Sequence, residues 1–559
     1  MDNANYRRRL SERRLARRAL LRSGGIAAAG LGMAALAGCG RGAASAGKAT
    51  GGAGTSPSTG TSKPQTGGVL TARINTDPPT TWIPSGAVTF TAVWPFAPAY
   101  NQLVQRDPQD PDNKIIPDLA DSYEIAGDGK SIVFRLHPGV KFHDGTDLTS
   151  EDVKLTLDWV KSPPAKKTSS QQGTVQVIDH VETPDPLTAK LVLSAPSPSL
   201  LGTLASHYLV MGAKADLAKD TLGTLLNGTG PFKLKSLTRG VGVELERNPN
   251  YFVKDRPYLD GVKHSIVVDE NTAMTDLIAG RFQRYFTVLP DNYDRVEKET
   301  GGKCKAYSPR VPNRNTLYFN GTKKPFNDPR VRQAVSMALD RQAGVQIDLL
   351  GHGVVGGYMM PSGQWAISAD QLNKVPGYGS PDIVEAKKLL AAAGVTEPLS
   401  GTLLTRSDAS FQGMTTYVQG SLQKAFGWNF KHEVKDSASA FAAADATQFD
   451  LLTWIVGPTM DDPDAIFGTL LTSKAATNWS KIYDPEADAL YEKQSQTLDA
   501  AQRRQLSQQL ELKYLNNFPL LTLYFRDATQ AIWDVVQNYK IASSLFTNQR
   551  YQDVWLNRA

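Results

Sequence analysis

The sequence GVKFHDGTDLTSEDV occupies residues 139–153 and combines a turn, a short extended run and the start of a helix. Thr149 is a good helix-capping residue, and Asp152 stands three positions later as its partner in a capping box. Apolar residues then recur at helical spacing as far as Val160. We therefore predict a strand–turn–helix unit whose helix begins just after Thr149.

A hairpin is predicted immediately before this segment. Residues 131–136 alternate apolar and polar side chains, and the turn sequence AGDG at 126–129 separates them from a partner strand at 123–125. His143 and Asp144 lie between the hairpin and the helix, and the nearest other histidine, His137, is six positions away. This setting favours a role in the turn over a metal or catalytic role.

A longer pattern extends from this unit in both directions. Its parts are IPDLADSY at 116–123, GVKFHDGT at 139–146, LTSEDV at 148–153, GTGPFKL at 228–234 and PFNDPRVRQA at 325–334. Together they resemble the extracytoplasmic solute-binding proteins of family 5, the oligopeptide-, dipeptide- and nickel-binding components of ABC importers. The resemblance covers most of residues 68–540.

The resemblance implies an α/β, periplasmic-binding-protein-like fold of type II, with two lobes and an extra inserted domain. The solute is expected between the lobes, and the crossovers that join them are expected to act as the hinge. The implied domain limits are first-lobe segments at 68–97, 228–312 and 517–559, an inserted domain at 98–227 and a second lobe at 313–516.

The N-terminus has the features of an export signal. Residues 1–38 combine eight arginines, including the pair Arg17 and Arg18, with a short apolar stretch that ends in LAG before Cys39. This resembles a twin-arginine signal followed by a lipobox, although export by the general secretion route and a plain signal peptide with an accidental cysteine remain alternatives. We expect Cys39 to be lipidated, residues 39–67 to form a flexible tether, and the protein to be anchored at the outer face of the cell membrane.

Charge argues against a nucleic-acid partner. The chain has 61 basic and 55 acidic residues, and residues 1–38 contain eight of the basic and two of the acidic ones. The remainder is balanced at 53 of each, so the basic isoelectric point belongs to the export signal. A balanced surface has no excess charge with which to attract phosphate.

The segment WIVGPTMDDPD at 454–464 resembles the part of the family that borders the solute cleft. Peptide-binding members place there an acidic residue that pairs with the α-amine of the ligand. That position falls on Thr459 in this chain, and Asp461 is the alternative if the loop is shifted by a turn. We expect Asp462 and Asp464 to act as turn and helix-cap residues. Three tryptophans are predicted to stack against the ligand: Trp82, Trp94 and Trp454.

The sequence predicts a binding protein. It contains no G-x-S-x-G elbow, H-E-x-x-H pair or C-x-x-C motif, its seven histidines are scattered, and Cys304 is expected to be a partly buried thiol. We expect a monomer without metal or cofactor. The resemblance implies that it captures a small peptide, an oligosaccharide or a similar solute and delivers it to the permease subunits of an ABC importer. An anchored enzyme or sensor that reuses the fold is the alternative.

Overall fold

The computed structural model describes residues 63–78, 93–110, 114–165, 167, 169–219, 226–361, 363–541 and 549–558. The export signal, Cys39, most of the tether and Trp82 lie outside these residues. Within them, three sheets organise the chain. We call the seven-stranded sheet with its helices the first lobe, the six-stranded sheet with its helices the second lobe, and the four-stranded sheet with its helices the inserted domain.

The first lobe is assembled from segments that are far apart in sequence. Its central strand, Val69–Ile74, runs parallel to both of its neighbours, and Ala72 lies opposite both His264 and Arg284. The strand order is Cys304–Tyr307, Gln530–Trp533, Arg284–Phe286, Val69–Ile74, Gly261–Ile266, Gly242–Arg247 and Phe232–Thr238. The helices are Glu270–Ile278 and Tyr293–Glu299, with 3-10 turns at Trp94–Ala99 and Pro290–Asn292. A two-stranded ribbon of Val536–Gln537 and Trp555–Leu556 completes it.

The second lobe has a sheet that is buried on both faces. Every residue of its strand Arg314–Phe319 is buried, because helices cover both sides. The strand order is Gly353–Val354, Leu520–Arg526, Arg314–Phe319, Leu451–Val456, Ser400–Arg406 and Asn429–Lys435. The helices are Pro329–Ala338, Arg341–Leu349, Ala369–Asn373, Ile383–Ala392, Ala409–Phe426, Ser437–Asp445, Pro463–Leu470, Pro485–Ser495 and Ala500–Asn517.

Aspartates begin many of these second-lobe helices. Asp328 accepts a hydrogen bond from the backbone N–H of Arg330, and Pro329 occupies the first helical position, as the sequence predicts. The same capping arrangement recurs at Asp340, Asp382, Asp436, Asp462, Asp484 and Asp499. Each of these helices therefore begins where an aspartate in the local sequence caps its first turn.

The inserted domain confirms the predicted hairpin and helix cap. Ala120–Ile125 pairs antiparallel with Ser131–Leu136, and Asp152 accepts the Thr149 backbone N–H at 2.8 Å at the start of the helix Ser150–Lys161. The sheet order is Ala120–Ile125, Ser131–Leu136, Thr188–Leu193 and Ile178–Asp185. A ribbon of Val104–Arg106 and Ile115–Pro117 and the short helices Gln172–Val175, Leu200–Leu204 and Lys214–Ala218 surround it.

The chain near residue 517 departs from the expected domain limits. The strand Leu520–Arg526 pairs antiparallel with Arg314–Phe319, so it belongs to the second lobe and not to a first-lobe segment that starts at 517. Its residues are buried as far as Phe525, and a strand of this kind needs neighbours and cover on both faces. The chain returns to the first lobe only at Gln530–Trp533.

Two adjacent crossovers join the lobes, at residues 308–313 and 527–529. Arg310 and Asp527 form an ion pair at 2.5 Å between them, and the Ala528 backbone N–H donates to the Pro309 carbonyl at 3.0 Å. The crossovers therefore hold each other at one edge of the boundary between the lobes. None of the helices among the described residues is long and apolar enough to cross a membrane.

Candidate functional site

The candidate site is built around the loop at 457–462, which links the strand Leu451–Val456 to the helix Pro463–Leu470. Gly457 and Pro458 end the strand, and Asp462 caps the helix by accepting the Asp464 backbone N–H at 2.9 Å. The predicted cap role of Asp462 is confirmed. The cap and the proline after it fix the C-terminal end of the loop.

Arg503, on the helix Ala500–Asn517 of the same lobe, forms ion pairs with both Asp462 and Asp464. The two guanidinium nitrogens of Arg503 donate to the two oxygens of Asp462 at 2.9 and 2.7 Å, and one of them reaches Asp464 Oδ2 at 3.2 Å. Gln494 Nε2 donates to Asp464 Oδ1 at 2.5 Å. Burial raises the pKa of Asp464, and the neighbouring carboxylate of Asp462 adds to the effect. Both aspartates therefore have protein partners.

The Asp461 carboxyl contacts another loop of the second lobe, at Met360 and Gly363. Its Oδ1 accepts the Met360 backbone N–H at 3.4 Å, and a Cβ added at Gly363 would stand 2.5 Å from its Oδ2. Burial raises the pKa of Asp461 to about 6, while the Met360 N–H and the charge of Arg314 lower it. Asp461 is thus a carboxyl with a raised pKa, set against a loop of its own lobe. Thr459 is half-buried in the same loop.

Trp454 lies in the core of the second lobe. It is 5% exposed, and its ring packs against Phe441 at 4.8 Å, Trp479 at 5.0 Å and Phe411 at 5.8 Å between centroids, edge to face in each case. This geometry gives it a packing role. Its predicted stacking against a ligand stays a prediction.

Trp94 lies in the first lobe, in an aromatic cluster around Arg284. Its indole N–H donates to the Tyr551 hydroxyl at 3.1 Å, and the guanidinium carbon of Arg284 stands 4.8 Å from its ring. Arg284 itself donates to the hydroxyls of Tyr551 and Tyr539 at 2.7 and 2.6 Å. The structure therefore places Trp94 and Trp454 in different cores, and stacking by Trp94 also stays a prediction.

The inserted domain contacts the loop directly. Ser199 Oγ donates to Asp464 Oδ2 at 2.6 Å, and a Cβ added at Gly202 would stand 2.7 Å from the Sδ of Met460. The missing side chain of Gly202 is what allows the helix Leu200–Leu204 to approach Met460 so closely. The C-terminal part of the loop is accordingly contacted by the second lobe and by the inserted domain.

Arg106 also lies where the inserted domain meets the loop at 457–462, and the sequence did not predict a role for it there. Its Nη2 donates to the Gly202 carbonyl at 3.3 Å, and burial lowers its pKa to about 10, with the charge of Asp462 opposing the shift. No sequence motif marks Arg106, because its neighbours in the fold are about 100 and 350 positions away. The described residues contain no cluster of three or more histidine, cysteine, aspartate or glutamate side chains arranged to hold a metal ion.

Comparison with known proteins agrees with this architecture. The chain is 31% identical over 296 residues to a glutathione-binding protein of Pectobacterium atrosepticum, a match that covers 53% of this chain and 56% of the relative. The chain thus spans about half the length of the curated relatives of this kind. It is 26% identical over 460 residues to a di/tripeptide-binding protein of Pseudomonas aeruginosa, covering 77% of this chain and 84% of the relative.

Solved structures share the fold along almost their whole length. The binding protein AgaA of A. tumefaciens, in complex with agropinic acid, superposes with a TM-score of 0.79 at 27% identity, covering 88% of this chain and 99% of its own. The Helicobacter pylori protein DppA in complex with the peptide STSA reaches 0.79 at 22% identity over 88% of this chain and 99% of its own, which shows the fold alone.

The family assignment follows from the match of a family model to residues 114–478, which include most of the inserted domain, five of the six strands of the second-lobe sheet and the loop at 457–462. These proteins bind solutes, which assigns the chain to binding proteins and not to enzymes. The chain belongs to family 5 of the bacterial extracellular solute-binding proteins.

Proposed function

We propose that this protein is the extracytoplasmic receptor of an ABC importer, which captures a peptide-like or other oligomeric solute between its lobes and delivers it to the permease subunits. The observation that supports the proposal is the position of the loop at 457–462 in the second lobe, where the inserted domain approaches it at Met460 and, just after the loop, through the Ser199–Asp464 hydrogen bond. The named ligands of the relatives, which are glutathione, di- and tripeptides and agropinic acid, support this class of solute.

The loop supports a ligand without a free α-amine. Thr459 occupies the position at which an acid is expected in peptide-binding members, and Asp461 is turned toward Met360 of its own lobe. An ammonium group that leaves water without a carboxylate partner loses several kcal/mol of solvation. A blocked or modified peptide, an oligosaccharide or another solute with hydrogen-bonding groups fits this loop better than a simple peptide.

Anchoring and organisation complete the proposal. Lipidated Cys39 holds the protein at the outer face of the membrane, residues 40–67 act as the tether, and the protein works as a monomer. We retain the proposed domain limits except at the last one, which we move from 517 to about 527 because Leu520–Arg526 pairs within the second lobe.

Two measurements test the proposal. Native mass spectrometry of the protein purified from its own host identifies the co-purifying solute. Small-angle scattering then compares the protein with and without that solute, and the bound form should have a smaller radius of gyration, because a ligand that closes the lobes must bind the closed state better. An unchanged radius at saturation contradicts capture between the lobes.

A further inference from the structure

Arg106 is a charged side chain that is incompletely paired. It stands at the end of the short strand Val104–Arg106 in the inserted domain and is partly buried. Within the part of the chain that the structure describes, its one hydrogen bond is the 3.3 Å contact from Nη2 to the Gly202 carbonyl. A guanidinium has five N–H donors, so most of its capacity is unused.

Asp462 and Asp464, the two carboxylates at the C-terminal end of the loop, are already occupied by other groups. Asp462 receives both of its charged contacts from Arg503, at 2.7 and 2.9 Å. Asp464 accepts from Ser199, Gln494 and Arg503. Arg106 feels the charge of Asp462, but it forms no ion pair with any described residue. With a pKa of about 10 it is nevertheless cationic at neutral pH.

The position of Arg106 places its side chain near the loop at 457–462. A Cβ at Gly202 would stand 2.7 Å from Met460 Sδ and 3.5 Å from Arg106 Nη2, so both side chains converge on one point of the inserted domain. Met460 directly follows Thr459 in the loop. The loop where the amine-pairing acid is expected therefore lies beside a cation instead.

We propose that Arg106 forms a subsite for an anionic group, such as a carboxylate, on the captured solute. The inference rests on the proposed function and narrows its solute class to acids. A guanidinium binds a carboxylate through two parallel hydrogen bonds. An anion at this point would supply the partner that Arg106 lacks in the protein.

Three probes that share one dipeptide amide and differ in the charged or neutral group at its N-terminus test the subsite. They are alanyl-phenylalanine amide carrying an N-succinyl group, an N-acetyl group or a free amine, with charges of −1, 0 and +1. Calorimetric titration up to millimolar concentration uses the full chain in detergent. We expect wild type to prefer the N-succinyl over the N-acetyl probe by about tenfold or more, the range of a charge-assisted hydrogen bond.

The variants then assign that preference to Arg106. Arg106→Gln should reduce the ratio to about twofold or less, while Arg135→Gln, at an exposed position of the same domain, should leave it unchanged. If Arg106→Gln does not fold, Arg106→Lys replaces it. The lysine variant should lose several-fold of the preference, because an ammonium lacks the two-pronged geometry.

The contrary outcomes separate this inference from the proposed function. A wild-type preference for the neutral or cationic probe overturns the subsite. The subsite is also overturned if Arg106→Gln lowers the melting temperature but leaves the ratio of N-succinyl to N-acetyl affinity unchanged. That result would mean that Arg106 only balances the charge around Asp462 and Asp464. Failure of all three probes to bind wild type at millimolar concentration instead contradicts the proposed peptide-like solute, and the subsite falls with it.

Discussion

Ser199 Oγ and Asp464 Oδ2 are joined by a 2.6 Å hydrogen bond across 265 positions of sequence. The bond connects the inserted domain to the first turn of the helix Pro463–Leu470, immediately after the loop at 457–462. Gln494 and Arg503 hold the same carboxylate from the second lobe. The C-terminal end of the loop is therefore held from two parts of the protein at once.

Ser199→Ala should weaken this junction. It removes a hydroxyl donor from a buried carboxylate, and hydrogen bonds to charged groups contribute about 1.5–3 kcal/mol. We expect a lower free energy of unfolding in urea, by about that amount, together with weaker solute binding. Ser236→Ala, at an exposed strand position of the first lobe, is the control. Equal stability of the two variants would show that the Ser199 contact adds nothing in solution.

Glu511 should make stability depend on pH. Its two oxygens accept the backbone N–H groups of Met359 and Ile367 at 2.8 and 3.1 Å. Burial raises its pKa from 4.5 to about 7, although these N–H groups oppose the shift. A raised carboxyl pKa gives a stabilising contribution that is complete below pH 4.5 and is lost as the pH rises through 7.

The measurement compares Glu511→Gln with wild type across this pH range. Wild-type stability should fall relative to the variant between about pH 4.5 and 7, by on the order of 3 kcal/mol in total. Glu397→Gln, which changes an exposed glutamate, should follow the wild-type curve. Parallel curves for wild type and Glu511→Gln would rule out this residue as the source of the pH dependence.

Thr459→Asp should raise affinity for peptides with a free amine, because it supplies a carboxylate in the loop. It should also weaken binding of the N-succinyl probe, since the new acid repels an anion and neutralises Arg106. Calorimetry against di- to pentapeptides in free and N-acetylated forms checks this, with Thr459→Asn as the uncharged control. If wild type binds free-amine peptides tightly and loses them on acetylation, then Asp461 or another acid pairs with the amine.

Cys39→Ala should release the protein from the membrane without changing the stability of its folded part. Residues 40–67 contain no large apolar side chain that could contribute to a core. Membrane fractionation and a thermal melt measure the two effects, and Cys304→Ala serves as the localisation control. Retention of the Cys39→Ala protein in the membrane pellet would count against lipidation at this cysteine.

The sequence by itself determined the elements whose signals are local. The hairpin before residue 139, the capping pair of Thr149 and Asp152, and the helix start at Asp328 and Pro329 each depend on residues a few positions apart. Backbone propensity and capping act over that distance. The role of Asp462 as a cap was predicted for the same reason.

Only the tertiary structure decided which distant segments meet. An apolar run such as 520–526 pairs equally well in either sheet as far as its own composition is concerned, and its place beside Arg314–Phe319 depends on the packing of the whole second lobe. Folding also brings Arg106 near Gly202 of the inserted domain and Asp462 of the loop. These residues are too far apart in the sequence for any motif to link them. Hydrogen bonds and desolvation depend on which groups are close in three dimensions. The pKa shifts and hydrogen-bond partners of this site could therefore be assigned only from the tertiary structure.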